Sequence, residues 1–112
     1  MNNISQTTSL LETVAGFFAD ALGRPSFALS ESFFAVGGDS LGAAEVLKRV
    51  DETFHIELTF RDILEAPTPF GLALSILRAR AKSGGHDLAA EFSTLSTEDA
   101  RRLLAHLQGS KP

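Results

Sequence analysis

Phe33-Phe34-Ala35-Val36-Gly37-Gly38-Asp39-Ser40-Leu41 runs from an apolar stretch through paired glycines into a segment with helical spacing. The glycines open backbone angles closed to other residues and leave the approach to Ser40 free of side chains. Asp39 is placed to cap a helix, which puts Ser40 in its first turn. Free N–H groups and the positive end of the helix dipole favour a phosphate ester there. A serine so placed either merely caps or carries a phosphorylated group. Nothing nearby activates it as a nucleophile, because His55, His86 and His106 are distant in sequence and none has a carboxylate partner at motif spacing.

Downstream of Ser40 a helix is expected over 40–53, with Leu41, Ala44, Leu47 and Val50 on one face and Ala43, Val46 and Phe54 beside it. Upstream, Leu11, Val14, Phe18 and Leu22 recur at steps of three and four, which predicts an amphipathic helix over 8–22 ended by Gly23 and Pro25. The connection between these helices holds Phe27, Leu29, Phe33, Phe34 and Val36, too apolar for a solvated loop, so it is expected to pack over the core. A connection of that length is more often functional than not.

A short helical turn is expected at 60–64, bounded by Thr59 and Pro67. Thr68 as N-cap and Pro69 at the first helical position start another helix, with Leu72, Ile76 and Ala79 as its stripe to about residue 81. Strands find no support beyond a short alternation at 54–58, so the fold class is all-α. Ser83-Gly84-Gly85 reads as a flexible break between a domain at 1–82 and a tail at 83–112. Within the tail, Ser96 caps a last helix, Asp99 occupies the capping-box position, and Leu103, Leu104 and Leu107 form an apolar edge.

Composition narrows the function classes. With 112 residues, one small core is expected. The 44% hydrophobic and 21% charged content is that of a globular chain. Ten Lys and Arg against fourteen Asp and Glu give a net charge of −4, the wrong sign for gripping a phosphate backbone, so no nucleic-acid partner is expected. Zero Cys excludes disulfides, thiolate metal sites and cysteine nucleophiles, and no metal site is expected. No apolar run approaches the roughly 18 residues of a membrane span, and no basic residue precedes Arg24, so a cytoplasmic location away from membranes is expected.

The run Phe33 to Leu41 resembles the phosphopantetheine attachment site of acyl and peptidyl carrier proteins. Leu58-Thr59-Phe60-Arg61-Asp62-Ile63-Leu64-Glu65-Ala66-Pro67-Thr68 likewise resembles the third-helix segment of carriers from nonribosomal peptide synthetases. The similarity spans residues 10–81. It implies a four-helix carrier bundle with a short third helix, here followed by a C-terminal tail helix. It also implies a protein that is not itself an enzyme and has no catalytic residues. Ser40 would receive a 4'-phosphopantetheine arm from coenzyme A through a separate magnesium-dependent phosphopantetheinyl transferase, with Gly38, Asp39 and Leu41 forming the attachment site. The arm's thiol would carry an aminoacyl or acyl group as a thioester for nonribosomal peptide or related natural-product biosynthesis. The paired glycines look more like a peptidyl carrier than a fatty-acid carrier.

The partners implied are the transferase, an adenylation or acyl-activating domain, and a condensation or other downstream tailoring domain. Leu41, Phe60, Arg61 and Ile63 flank the serine in the family's fold and are expected as partner contacts or as packing residues, with Ile63 the one that best suits a core position. Asp39 is expected as N-cap or as a transferase contact, and Phe33 and Phe34 are expected as core anchors of the loop, with partner contact as the alternative. Gly42 departs from the pattern, since a glycine inside a helix costs about 1 kcal/mol relative to alanine. Close approach of a partner or arm, or sequence drift, would account for it. A similar leucine-containing tail in family members often leads to the next domain, so the tail is expected to be a linker or docking helix rather than an inert cap. A monomer is expected unless that helix docks.

Two other classes remain at this stage. Gly38-Asp39-Ser40-Leu41 also spells the local signature of GDSL esterases, but the D-x-x-H that would activate such a serine is missing. A helical adaptor with no covalent group would bind partners through its apolar faces alone, and Ser40→Ala would leave it unaffected.

Overall fold

A computed structural model describes residues 9–109, in which six helices and no strand occur. They are α1 (Leu10–Leu22), α2 (Ser40–Phe54), α3 (Phe60–Glu65), α4 (Pro69–Gly84), α5 (Leu88–Phe92) and α6 (Thr97–Gly109). The all-α expectation holds, with α1 to α4 as the bundle. α1 packs against α2 and α4, and α3 packs against α2 and α4. Thr8, where the first helix was expected to start, lies outside the described residues; Ser9 is the N-cap, its hydroxyl accepting from Glu12 N–H.

Each start is chemically specified. Asp39, Thr59, Thr68 and Asp87 cap α2, α3, α4 and α5 with side-chain acceptors. Thr59 and Asp62 complete a reciprocal capping box, which satisfies two backbone donors of a helix only six residues long. Pro69 at the first turn of α4 occupies a site where a missing N–H costs nothing.

The core is built from Leu11, Val14 and Phe18 of α1, Val46 and Val50 of α2, Ile63 of α3, and Leu72, Ile76 and Leu77 of α4. The long connection contributes Phe27 and Phe33, both buried as expected. The Phe18 ring lies 5.2 Å from the rings of both Phe27 and Phe33. Such pairs add about 0.5–1.5 kcal/mol each beyond the area they bury. Backbone bonds pin the loop at Phe33 N–H to Pro67 O (2.9 Å) and at Phe70 N–H to Leu29 O (3.1 Å). Glu31 closes its first half by accepting from Ala28 N–H (2.9 Å) and the Arg24 guanidinium (3.2 Å). The Ala28 bond, joined by Arg24, holds the Glu31 carboxyl below its ordinary range.

On α2 the buried face differs from the expected one. Leu41 is 81% exposed and Ala44 is exposed, whereas Ala43, Val46 and Val50 are buried. Residues 41, 44, 47 and 50 advance by three at each step, and three residues fall about 60° short of a full turn, so this set spirals around the helix. Residues 43, 46 and 50 mix steps of three and four and stay on one side.

The end of α4 also differs. Ser83 and Gly84 belong to the helix, and Gly85, at φ 71°, caps it through bonds to the carbonyls of Ala81 and Lys82. The glycines that read as a flexible break are a helix terminator. α5 follows and packs on α4. α6 then folds back toward α1: Leu103 is fully buried in the common core, and the His106 ring stacks on Phe70 at 4.4 Å. Leu104 and Leu107 remain exposed.

Candidate functional site

Asp39 is extended at φ −126° and its carboxylate accepts from Gly42 N–H at 2.9 Å, while its carbonyl takes the first helical bond from Ala43 (2.9 Å). Ser40 and Leu41 are thus the first two helical residues, where backbone N–H groups have no intrahelical acceptor. Ser40 is exposed, and its hydroxyl makes no hydrogen bond among the described residues.

The loop before it descends through Val36 N–H to Ser32 O (3.2 Å), Gly37 N–H to Phe34 O (3.2 Å) and Gly38 N–H to Phe33 O (2.8 Å). Gly37 sits at φ 107°, a conformation that L side chains rarely adopt. Gly38 is required for a different reason, since a Cβ there would come within 2.4 Å of the Phe33 ring. Gly42 meets the same ring: its Cβ would lie 2.9 Å from Phe33 Cζ. Close packing on Phe33 is therefore the structural reason for a glycine within the first turn of α2.

Beside this serine, Leu41 projects into solvent. Phe60 (40% exposed) and Leu64 (52% exposed) lie on α3, and Val36 (40% exposed) lies on the loop. Arg61 is exposed and paired with Glu65 at 3.1 Å one helical turn on. Ile63 is a correction to the expected contact set. It has no exposed surface and anchors α3 to the core, so it cannot present itself to a partner without local unfolding. Gly38, Asp39, Ser40 and Leu41 follow one another through the start of α2, with Asp39 as its N-cap.

The histidines do not serve the serine. His55 caps the far end of α2, about 22 Å away at 1.5 Å per residue. His106 stacks on Phe70. His86 does have a carboxylate partner, contrary to the reading from spacing: its Nε2 is 2.5 Å from Glu91, which also accepts from Arg80 at 3.0 Å. The bond to Glu91 raises the His86 imidazole above its ordinary range against opposing desolvation. Burial pushes the Glu91 carboxyl up, but the bonds from His86 and Arg80 outweigh it and hold the group below its ordinary range. That cluster joins α5 to the end of α4 and was invisible in the sequence because α5 is too short to show a period. The cap Asp87, three residues before Ala90, was the available signal.

Among the described residues no group of side chains could hold a metal ion, and no helix is long and apolar enough to cross a membrane. The arrangement supplies an unengaged hydroxyl on a glycine-lined approach with the free N–H groups of a helix start behind it. Those features fit a phosphodiester at Ser40, whose charge the helix start would stabilise.

Comparison with known proteins agrees with this geometry. The family described as "Phosphopantetheine attachment site" matches residues 12–75, more than half of the chain. The chain is 35% identical over 71 residues to phosphinothricin tripeptide synthetase PhsC of Streptomyces viridochromogenes, covering 63% of this chain and 6% of that one. It is 30% identical over 101 residues to surfactin synthase subunit 3 of Bacillus subtilis, covering 90% of this chain and 8% of that one. It therefore spans less than a tenth of the length of these relatives. The structure is similar to that of BlmI, a type-II acyl carrier protein from Streptomyces verticillus involved in bleomycin biosynthesis, with a TM-score of 0.55 and 38% identity over 57% of this chain and 77% of that one. The chain belongs to the phosphopantetheine attachment family and is a carrier domain of the kind that binds 4'-phosphopantetheine covalently.

Proposed function

We propose that Ser40 is the residue that takes the arm and that the carrier serves a nonribosomal peptide synthetase, holding an aminoacyl or acyl group as a thioester. The observation that carries this reading is the exposed, unengaged hydroxyl of Ser40 at the first turn of α2, approached over two glycines. The arm supplies a thiol, which a chain with zero Cys otherwise lacks. In the loading step the Ser40 oxygen bonds to the phosphorus of coenzyme A that bears the pantetheine. The phosphoanhydride bond to the nucleotide half breaks, and the hydroxyl proton passes to the transferase. The free N–H groups of the helix start stabilise the resulting phosphodiester, and the Asp39 cap fixes where the hydroxyl stands.

The partners of this reading are a phosphopantetheinyl transferase, an adenylation or acyl-activating domain, and a condensation or other downstream tailoring domain. Exposed Leu41 and Phe60, with Arg61, form the face they use. On this reading the carrier works in the cytoplasm, where coenzyme A would be at hand for loading. The carrier unit is proposed at 1–82 and the tail at 83–112, with α5 packed on α4 and Leu103 of α6 buried in the shared core.

Thiol labelling tests the assignment. Unmodified protein takes up no label, protein treated with transferase, magnesium and coenzyme A takes up one equivalent, and Ser40→Ala takes up none after the same treatment. Label on treated Ser40→Ala would move the site elsewhere. An unlabelled treated wild type would favour the non-covalent adaptor.

A further inference from the structure

We propose that Phe33 is a positioning residue for loading: its ring is the surface on which the segment carrying Ser40 is set. This inference rests on Ser40 being the loaded residue. The ring is fully buried and makes contact with both glycines that bracket Asp39-Ser40-Leu41. A Cβ would lie 2.4 Å from it at Gly38 and 2.9 Å from it at Gly42. The Phe33 carbonyl also accepts the Gly38 N–H at 2.8 Å, so one residue holds the loop before the serine through its backbone and through its ring.

Phe33 is itself fixed from behind. Its N–H donates to Pro67 O at 2.9 Å, which ties it to the α3–α4 junction. Its ring lies 5.2 Å from Phe18 of α1 and 5.3 Å from Phe34. The height of the α2 start above the bundle is therefore set by a flat ring braced on two other elements. With glycine at both neighbouring positions, backbone lies directly on that ring with no flexible side chain between to absorb a change. Shrinking the ring, or adding a methyl at Gly42, shifts the helix start and the Ser40 oxygen with it. A displacement on the order of 1 Å at a reacting atom is enough to cost up to about a hundredfold in rate.

A residue that only fills the core predicts something else. Phe33→Leu would then lower thermal stability, and the folded fraction would be loaded normally. The test is steady-state kinetics of loading by a phosphopantetheinyl transferase with coenzyme A and magnesium. Substrates are wild type, Phe33→Leu, Gly42→Ala and the double variant, with thermal unfolding measured in parallel. Phe33→Leu is expected to lose roughly tenfold in kcat with KM for the carrier changed less than about threefold, because exposed Leu41 and Phe60 remain for recognition. In Gly42→Ala the gain of about 1 kcal/mol in helix propensity offsets part of the strain of the 2.9 Å contact, and thermal unfolding verifies that it is folded. It is expected to load several-fold more slowly than wild type. In the double variant the added methyl enters space the ring has vacated, and kcat recovers to within about threefold of wild type, an interaction visible as non-additivity.

Wild-type kcat for folded Phe33→Leu overturns the proposal. If that variant does not fold, wild-type kcat for Gly42→Ala overturns it alone. Equal losses from Gly42→Ala in both backgrounds also overturn it. Failure of wild type to load at all would overturn the Ser40 assignment instead, so the two failures are distinguishable.

Discussion

Ser9 and Asp99, 90 residues apart in sequence, jointly cap the start of α1: the Ser9 hydroxyl donates to the Asp99 carboxylate at 2.7 Å. The same hydroxyl accepts from Glu12 N–H at 3.1 Å, and the carboxylate also accepts from Leu11 N–H at 3.3 Å. Asp99 is fully buried, while its own N–H is held by Ser96 at 3.1 Å. The expected capping box of α6 is thus half present. Ser96 caps, but the Asp99 carboxylate turns away to complete α1, whose first turn would otherwise hold unpaired donors.

Removing this carboxylate should destabilise the whole fold. Asp99→Ala loses hydrogen bonds to a charged group worth about 1.5–3 kcal/mol and leaves buried donors unpaired. A fall of roughly 5–10 °C in Tm is expected for a domain of this size. Loading of the folded variant should be unchanged, since Ser40 lies on another element. Thermal unfolding decides this, and an unaltered Tm would show that α6 only rests on α1.

The His86–Glu91–Arg80 cluster predicts a pH dependence. With the His86 value raised in the folded protein, its contribution is complete below the ordinary value of 6.5 and fades as pH rises through the higher folded value. With the Glu91 value lowered, its contribution is complete above the ordinary value of 4.5 and fades as pH falls through the lower folded value. The joint stabilisation is greatest between these ordinary values. Unfolding of wild type and His86→Gln across pH should show the largest gap near pH 6 and a narrowing gap on the alkaline side. A gap independent of pH would contradict the pairing.

Surface and core separate on α3 and at the start of α2. Leu41→Asp and Arg61→Glu should leave Tm nearly unchanged, because Leu41 is 81% exposed and an exposed Arg61–Glu65 pair contributes only about 0.3–0.5 kcal/mol. Both should weaken aminoacylation of the loaded carrier by its activating partner. Ile63→Asp buries an unpaired carboxylate and should prevent stable folding. A folded Ile63→Asp would contradict its place in the core, and normal aminoacylation of the two surface variants would discard the face.

What the sequence made legible were features written locally. The caps at Asp39, Thr68 and Ser96 and the stripes of α1 and α4 are satisfied within a turn or two. Ser40 could be singled out because its glycines, cap and helix start are contiguous. Ile63 could not be sorted from Phe60 and Arg61 in the same way, since six residues make fewer than two turns and show no period. Gly42 had no local explanation because its partner ring belongs to Phe33, brought under it by the folded loop. The role of Asp99 was likewise hidden, since its partners lie on α1, and Ser83-Gly84-Gly85 gave no sign that the chain beyond it would return to the core.

Ser40 alone is proposed to receive the arm. Intact mass followed by peptide mapping, after incubation with coenzyme A, magnesium and a broad-specificity transferase, tests it most directly. The expected result is a gain of one 4'-phosphopantetheine, located on the peptide containing Gly38-Asp39-Ser40-Leu41 and lost in Ser40→Ala. No gain in mass, or the group on any other serine, would contradict it.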